Sequence, residues 1–154
     1  MVKELILTSI FNSFELHIVQ QEGGHVFTAM VSPFKWRPEP NLALFAASAP
    51  LVFGHMHGTG DLRWAKYPVV SDEQYTTEYM KLLDSRKEAI DRWLHKETTC
   101  VPFALCCSCK GGIWACREQE KVKQGSATWK FCHLDVLELW LWLQYGKTLR
   151  VRRV

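Results

Sequence analysis

A continuous apolar run, residues 101–107 (VPFALCC), constrains this chain more than any other stretch. A strand with one wet face alternates apolar and polar residues. A strand covered on both faces does not, and such strands belong to parallel sheets flanked by helices. Pro102 has no N–H to give a sheet, so it fits the first position of the strand and not its middle. The segment before it predicts a helix over residues 71–96. Tyr75, Tyr79, Leu82, Leu83, Ile90, Trp93 and Leu94 recur there at helical spacing, with charges between them. Ser71 caps its start, and Asp72 and Glu73 suit the positive end of the helix dipole.

The remaining segments complete the same architecture. Residues 4–10 (ELILTSI) and 26–31 (VFTAMV) read as strands, the second opened by Gly23-Gly24 and ended by Ser32-Pro33. Pro38 and Pro40 make residues 33–41 an irregular loop. Residues 42–49 suggest a short helix, 50–53 a short strand, and 54–60 (GHMHGTG) a Gly/His loop. Cys132-His133-Leu134-Asp135 leads into an apolar helix over 136–145, which stops at Gly146. Residues 148–153 (TLRVRR) form an edge strand or a basic tail. At 154 residues the chain is expected to be one domain, residues 1–154, with a Cys-containing insert at 110–130. The expected fold is a single three-layer α/β domain with a short, mostly parallel, Rossmann-like sheet.

The composition, 47% hydrophobic and 23% charged, is that of a folded chain and argues against disorder. A net charge of +3 does not demand a nucleic-acid partner, and the cluster Lys147, Arg150, Arg152 and Arg153 reads as a solvated edge. No apolar run approaches the ~20 residues of a membrane span. The opening MVKELIL is interrupted by Glu4 and is too short for a signal-peptide core. These features predict a soluble cytoplasmic protein with no membrane association.

The chemistry is concentrated in six cysteines: Cys100, Cys106, Cys107, Cys109, Cys116 and Cys132. In a reducing compartment, clustered thiols mean metal binding, reactivity or simple burial. Open α/β sheets bind ligands beyond the carboxyl ends of their strands. Cys106 to Cys109 fall at such an end, and Cys132 and His133 open the next helix. The free N–H groups of a helix start attract anions and favour a nearby thiolate, and a histidine there can act as acid, base or anion ligand. This pattern predicts a pocket for a nucleotide-like or other anionic ligand, with Cys109, Cys132 and His133 as its catalytic residues. Strand alternation puts Cys107 and Cys109 on one face and Cys106 on the other. Cys106 and Cys107 are equally well read as small buried hydrophobes.

A second reading is zinc. Cys106-x2-Cys109 has ligand spacing, and Cys116 with Cys132 or His133 completes four donors. The chain would then be a non-catalytic protein-interaction module, of the viral or mobile-element accessory kind, with a structural zinc or buried-thiol cluster. Familiar nucleophile motifs are missing. A phosphatase-type loop needs an arginine six residues after its cysteine, where Ala115 follows Cys109, and there is no GxSxG, Walker loop or GxGxxG. His55 and His57, two apart, would face one way on a strand but need not on a loop.

Three stretches taken together resemble a known family. They are Leu7-Thr8-Ser9-Ile10-Phe11, then Met30-Val31-Ser32-Pro33-Phe34-Lys35-Trp36, then Phe103-Ala104-Leu105-Cys106-Cys107-Ser108-Cys109-Lys110 with Phe131-Cys132-His133-Leu134-Asp135-Val136-Leu137. The pattern is similar to the family of unknown function numbered 488. The ending Cys-His-x-Asp-Val-Leu is similar to the related family numbered 4326. The resemblance implies a small α/β fold and assigns no activity. Its motifs single out Ser9, Trp36 and Asp135 as ligand-binding candidates. The chain departs from the pattern at Leu134, where the family has arginine, and in the long insert between the CxC and CH elements.

Overall fold

The computed structural model describes residues 3–31, 35–96, 102–107 and 132–154. The described residues contain four strands, β1 (Lys3–Ser9), β2 (His25–Thr28), β3 (Phe103–Cys107) and β4 (Leu149–Arg153). They form one sheet in the order β2-β3-β1-β4, with every pair parallel. Among the described residues five helices flank it: α1 (Ser13–Gln21), α2 (Ala49–Gly58), α3 (Asp72–Ser85), α4 (Lys87–Lys96) and α5 (His133–Tyr145). The fold is therefore the Rossmann-like α/β domain that the apolar run requires.

All five residues of β3 are buried, because helices cover both of its faces. Phe103, Leu105 and Cys107 point to one side, with Leu5 and Leu7 of β1. That side carries Tyr79 and Leu83 of α3, Ile90 and Leu94 of α4, and Leu134, Leu137, Trp140 and Leu141 of α5. Ala104 and Cys106 point to the other side, with Ile6, Val26 and the α1 residues Leu16 and Val19. Among the described residues no helix is long and apolar enough to cross a membrane.

Several elements differ from expectation, each for a physical reason. Residues 13–21 form α1, although their apolar spacing is weak. Only Leu16 and Val19 are buried apolar residues there, and the buried acid Glu15 is held by Arg152 of β4 at 3.1 Å. Residues 50–53 and the start of the Gly/His segment are one helix, α2, with Pro50 in its first turn. Its glycines serve close approach: a Cβ on Gly54 would lie 2.4 Å from the Pro68 carbonyl oxygen, and one on Gly58 would lie 2.9 Å from a Val69 methyl. The helix expected over 42–49 is only a 3-10 turn, Ala43–Phe45. Side chains satisfy its carbonyls instead: Tyr79 Oη donates to Phe45 at 2.5 Å, and Arg86 donates to Leu44 at 3.1 Å and Ala46 at 2.6 Å. The long helix over 71–96 is broken at Arg86 into α3 and α4. The sharp elbow lets both helices lay apolar faces on the same sheet.

Strand β2 ends at Thr28 because an asparagine side chain takes over its pairing. Asn41 Oδ1 accepts from Thr28 Oγ1 at 2.8 Å and from the Met30 N–H at 2.9 Å, while Asn41 Nδ2 donates to the Met30 carbonyl at 3.0 Å. Gly24 precedes β2 where no side chain fits, since a Cβ there would stand 1.9 Å from the Pro102 carbonyl oxygen.

Tyr79 is fully buried, and its hydroxyl is the link between α3 and the turn at Phe45. Tyr79→Phe leaves a carbonyl without its donor in the core. Equilibrium urea unfolding is expected to lose ~1–3 kcal/mol with an unchanged m-value.

Candidate functional site

The carboxyl ends of β2, β3 and β4 and the start of α5 meet at one edge of the sheet. Strand β3 is held there from both sides: the Ile10 N–H donates to the Cys107 carbonyl at 2.9 Å, and the Ala29 N–H donates to the Cys106 carbonyl at 2.8 Å. This fixes the Cys107 side chain on the helix-rich face. Cys132 is the residue just before α5, in extended conformation. Its N–H donates to Asp135 Oδ2 at 2.9 Å, a local clasp that sets where the helix begins. The two sulfurs, Cys107 Sγ and Cys132 Sγ, lie 3.5 Å apart and are buried.

His133 follows on the first turn of α5 and is half-buried. Its Nε2 sits 3.1 Å from the Ala29 carbonyl oxygen at the end of β2. A carbonyl only accepts, so this contact places the ring proton on Nε2 and leaves the lone pair on Nδ1. One ring nitrogen of His133 and the two sulfurs all lie within 4.8 Å of one another, a group that could hold a metal ion.

Arg153 closes the site from β4. Its side chain is only 15% exposed, and Nη1 lies 3.3 Å from Asp135 Oδ1. Burial alone would lower its pKa, but Cys132, Asp135 and Cys107 outweigh that and hold it raised, so the guanidinium stays charged. Burial pushes the Asp135 carboxyl up, against the pull of Arg153 and the Cys132 N–H. Nε and Nη1 of Arg153 are buried with no hydrogen-bond partner among the described residues.

The expected site residues divide sharply. Cys132, His133 and Asp135 come together as described. Ser9 ends β1 in register with Cys107, is 3% exposed, and uses its Oγ to accept the Phe11 N–H at 3.2 Å. Trp36 stands exposed on the loop after β2, its ring 5.5 Å from the Arg37 guanidinium, and is not among the cluster's donors. Cys106, proposed above as a metal ligand with Cys132, faces the opposite layer beside Ile6 and Val19. Adjacent strand residues point to opposite faces, so the sheet itself separates it from Cys132. Cys109 and Cys116, with Cys100 and the rest of the insert at 110–130, lie outside the described residues. His55 and His57 do not pair on α2. His55 Nε2 contacts Asp72 Oδ1 at 2.5 Å, and His57 Nδ1 contacts the Tyr67 carbonyl at 2.7 Å.

Two members of the site were not singled out from the sequence. Cys107 was read only as a thiol on the face opposite Cys106. Arg153 was read as part of a basic edge, although alternation in LRVRR puts it on the same face as Leu149 and Val151. A charge on the apolar face of a strand was the available signal. Fold and cluster together define a small Rossmann-like α/β protein with a Cys/Cys/His group at its strand ends. Comparison with known proteins finds no match: no family model, no curated protein and no solved structure corresponds to this chain.

Burial, with Glu39 nearby, pushes the Cys106 thiol from 9.0 up to about 12. Its contribution to stability is therefore intact below pH 9.0 and is lost as pH rises toward about 12, where only the unfolded chain readily gives up this proton. Cys106→Ala is expected to flatten the alkaline fall in stability over that range, read by denaturant melts at stepped pH. In the native wild type, iodoacetamide at pH 8 should leave Cys106 unmodified by peptide mass spectrometry.

Proposed function

We propose that this protein binds a small anionic ligand, nucleotide-like or a simpler oxyanion, at the strand-end site, with Cys132 and His133 as the groups able to act on it. The observation that carries the reading is Arg153. Among the described residues its buried Nε and Nη1 lack well-formed hydrogen bonds, Nη1 having only the 3.3 Å ion pair with Asp135, and a bound anion would supply the acceptors they lack. Asp135 supplies these only in part, because its other oxygen is committed to the Cys132 N–H. The positive end of the α5 dipole lies on the same side. The location agrees with the general rule that open parallel sheets bind ligands beyond their carboxyl ends.

The alternative, a non-catalytic protein-interaction module, draws on a different observation. Leu139, Trp142 and Leu143 form an exposed stripe on α5, at 46%, 65% and 58% exposure. That reading gives Arg153 no role in ligand binding.

Titration with inorganic phosphate and with AMP, followed by calorimetry and thermal melting, separates the two. The wild type is expected to bind and to melt higher as ligand is added. Arg153→Gln should bind ~10- to 100-fold more weakly, in line with the ~1.5–3 kcal/mol of a charge-assisted hydrogen bond. Arg150→Gln, at an exposed position on the opposite face of β4, should bind as the wild type does. Equal affinity in wild type and Arg153→Gln, or no binding by the wild type, removes the anion reading.

A further inference from the structure

We infer that Cys107, Cys132 and His133 form a binding site for a thiophilic divalent cation, with zinc the expected occupant. This ligand set is not the one the CxxC spacing suggests, since Cys106 is excluded by its face of the sheet. The inference does not rest on the anion-binding reading and stands or falls separately from it.

The donor chemistry is the first argument. Two sulfurs and one imidazole are the soft and borderline donors that select zinc over magnesium or calcium. They supply three of the four positions zinc ordinarily takes. Geometry is the second. Two sulfurs each ~2.3 Å from a tetrahedral zinc stand ~3.8 Å apart. Cys107 Sγ and Cys132 Sγ are 3.5 Å apart, and the His133 nitrogen completes the group within 4.8 Å. The sulfurs are well beyond the ~2.05 Å of a disulfide.

The third argument is orientation. Ligating histidines typically donate their second ring N–H to a carbonyl or carboxylate, which fixes the tautomer and aims the other nitrogen. His133 makes a contact of this kind, Nε2 to the Ala29 carbonyl at 3.1 Å, which holds the ring at the strand end. Cys107 is likewise set by its carbonyl's bond from the Ile10 N–H and by the bond of the adjacent Cys106 carbonyl from the Ala29 N–H, and Cys132 by its bond to Asp135. Little rearrangement is left for binding to impose.

Charge balance is the fourth. One dication displaces a proton from each thiol, so two protons pass to the buffer as two metal–sulfur bonds form. Two thiolates then neutralise the cation, and Cys107 and Cys132, at 1% and 6% exposure, bury no net charge. The neighbouring guanidinium of Arg153 therefore faces no cation excess. Cys106 provides the contrast within the same strand: a buried thiol among apolar side chains, with no second cysteine or histidine among the described members of its cluster.

The test uses the full chain, purified reduced, stripped of metal and titrated with cobalt(II) and then zinc. One equivalent of cobalt should bind with thiolate-to-metal charge-transfer bands and the strong visible bands of a tetrahedral site, and zinc should displace it. Cys107→Ser, Cys132→Ser and His133→Ala should each weaken binding by more than the ~10- to 100-fold that loss of an outer-shell partner costs. Cys106→Ser should bind as the wild type does. Arg153→Gln should also keep the metal, which separates failure of this inference from failure of the anion reading. Far-ultraviolet dichroism checks that each variant is folded. Should one fail to fold, the remaining folded variants decide, because the cobalt spectrum gives the donor types and loss of binding in a folded variant assigns the residue. The inference is overturned if the wild type takes up no cobalt, or if folded Cys107→Ser and His133→Ala bind it as tightly as the wild type.

Discussion

Strand β3 has no side of its own that meets water. Its edges are taken by β1 and β2, and its faces by helices on either layer. A strand in that position must satisfy every backbone group within the sheet and fill both faces with apolar or small side chains. The alternating sequence Phe103, Ala104, Leu105, Cys106, Cys107 does so. The larger side chains go to the thick helical layer, and Ala104 and Cys106 go to the face that carries α1. Everything at the strand ends inherits its position from that constraint. Once the Cys107 carbonyl accepts the Ile10 N–H and the Cys106 carbonyl accepts the Ala29 N–H, the side chain of Cys107 has one direction left.

The same constraint explains how much could be read in advance. The parallel sheet was legible because VPFALCC is uninterrupted and short, and because a periodic helix precedes it. The α3–α4 break was not, since the periodicity of Tyr75 through Leu94 continues across Arg86. At the break Arg86 reaches carbonyls of a distant loop, a tertiary contact that no local periodicity encodes. Helix α2 was hidden for the opposite reason. Its glycines and histidines carry low helical propensity, yet Gly54 and Gly58 are needed where residues 68–70 press against it. Residues 13–21 were missed because a buried acid occupies the face where a third apolar residue would have completed the pattern.

The candidate site was half legible. Cys132 and His133 followed from their place at a helix start, and their meeting with a strand-end thiol followed from topology. Cys107 itself did not follow, because the CxxC spacing drew attention to Cys106 and Cys109; strand parity puts Cys106 on the other face, and Cys109 lies outside the described residues. Arg153 belongs to the site through the register of β4 against β1, which pairs it with Leu7. Alternation in LRVRR puts Arg153 on the apolar face, but it does not say which strand lies beside it. That pairing emerges only when the last strand is added to the sheet beside the first.

The reach of Arg86 has a further consequence. The carbonyls of Leu44 and Ala46 are satisfied by a side chain about 40 residues later in the chain. Without the elbow between α3 and α4, that turn keeps only its own backbone bonds and the Tyr79 hydroxyl. The turn and the elbow are thus linked as one unit, and the hydrogen-exchange rates of their amides should rise and fall in step.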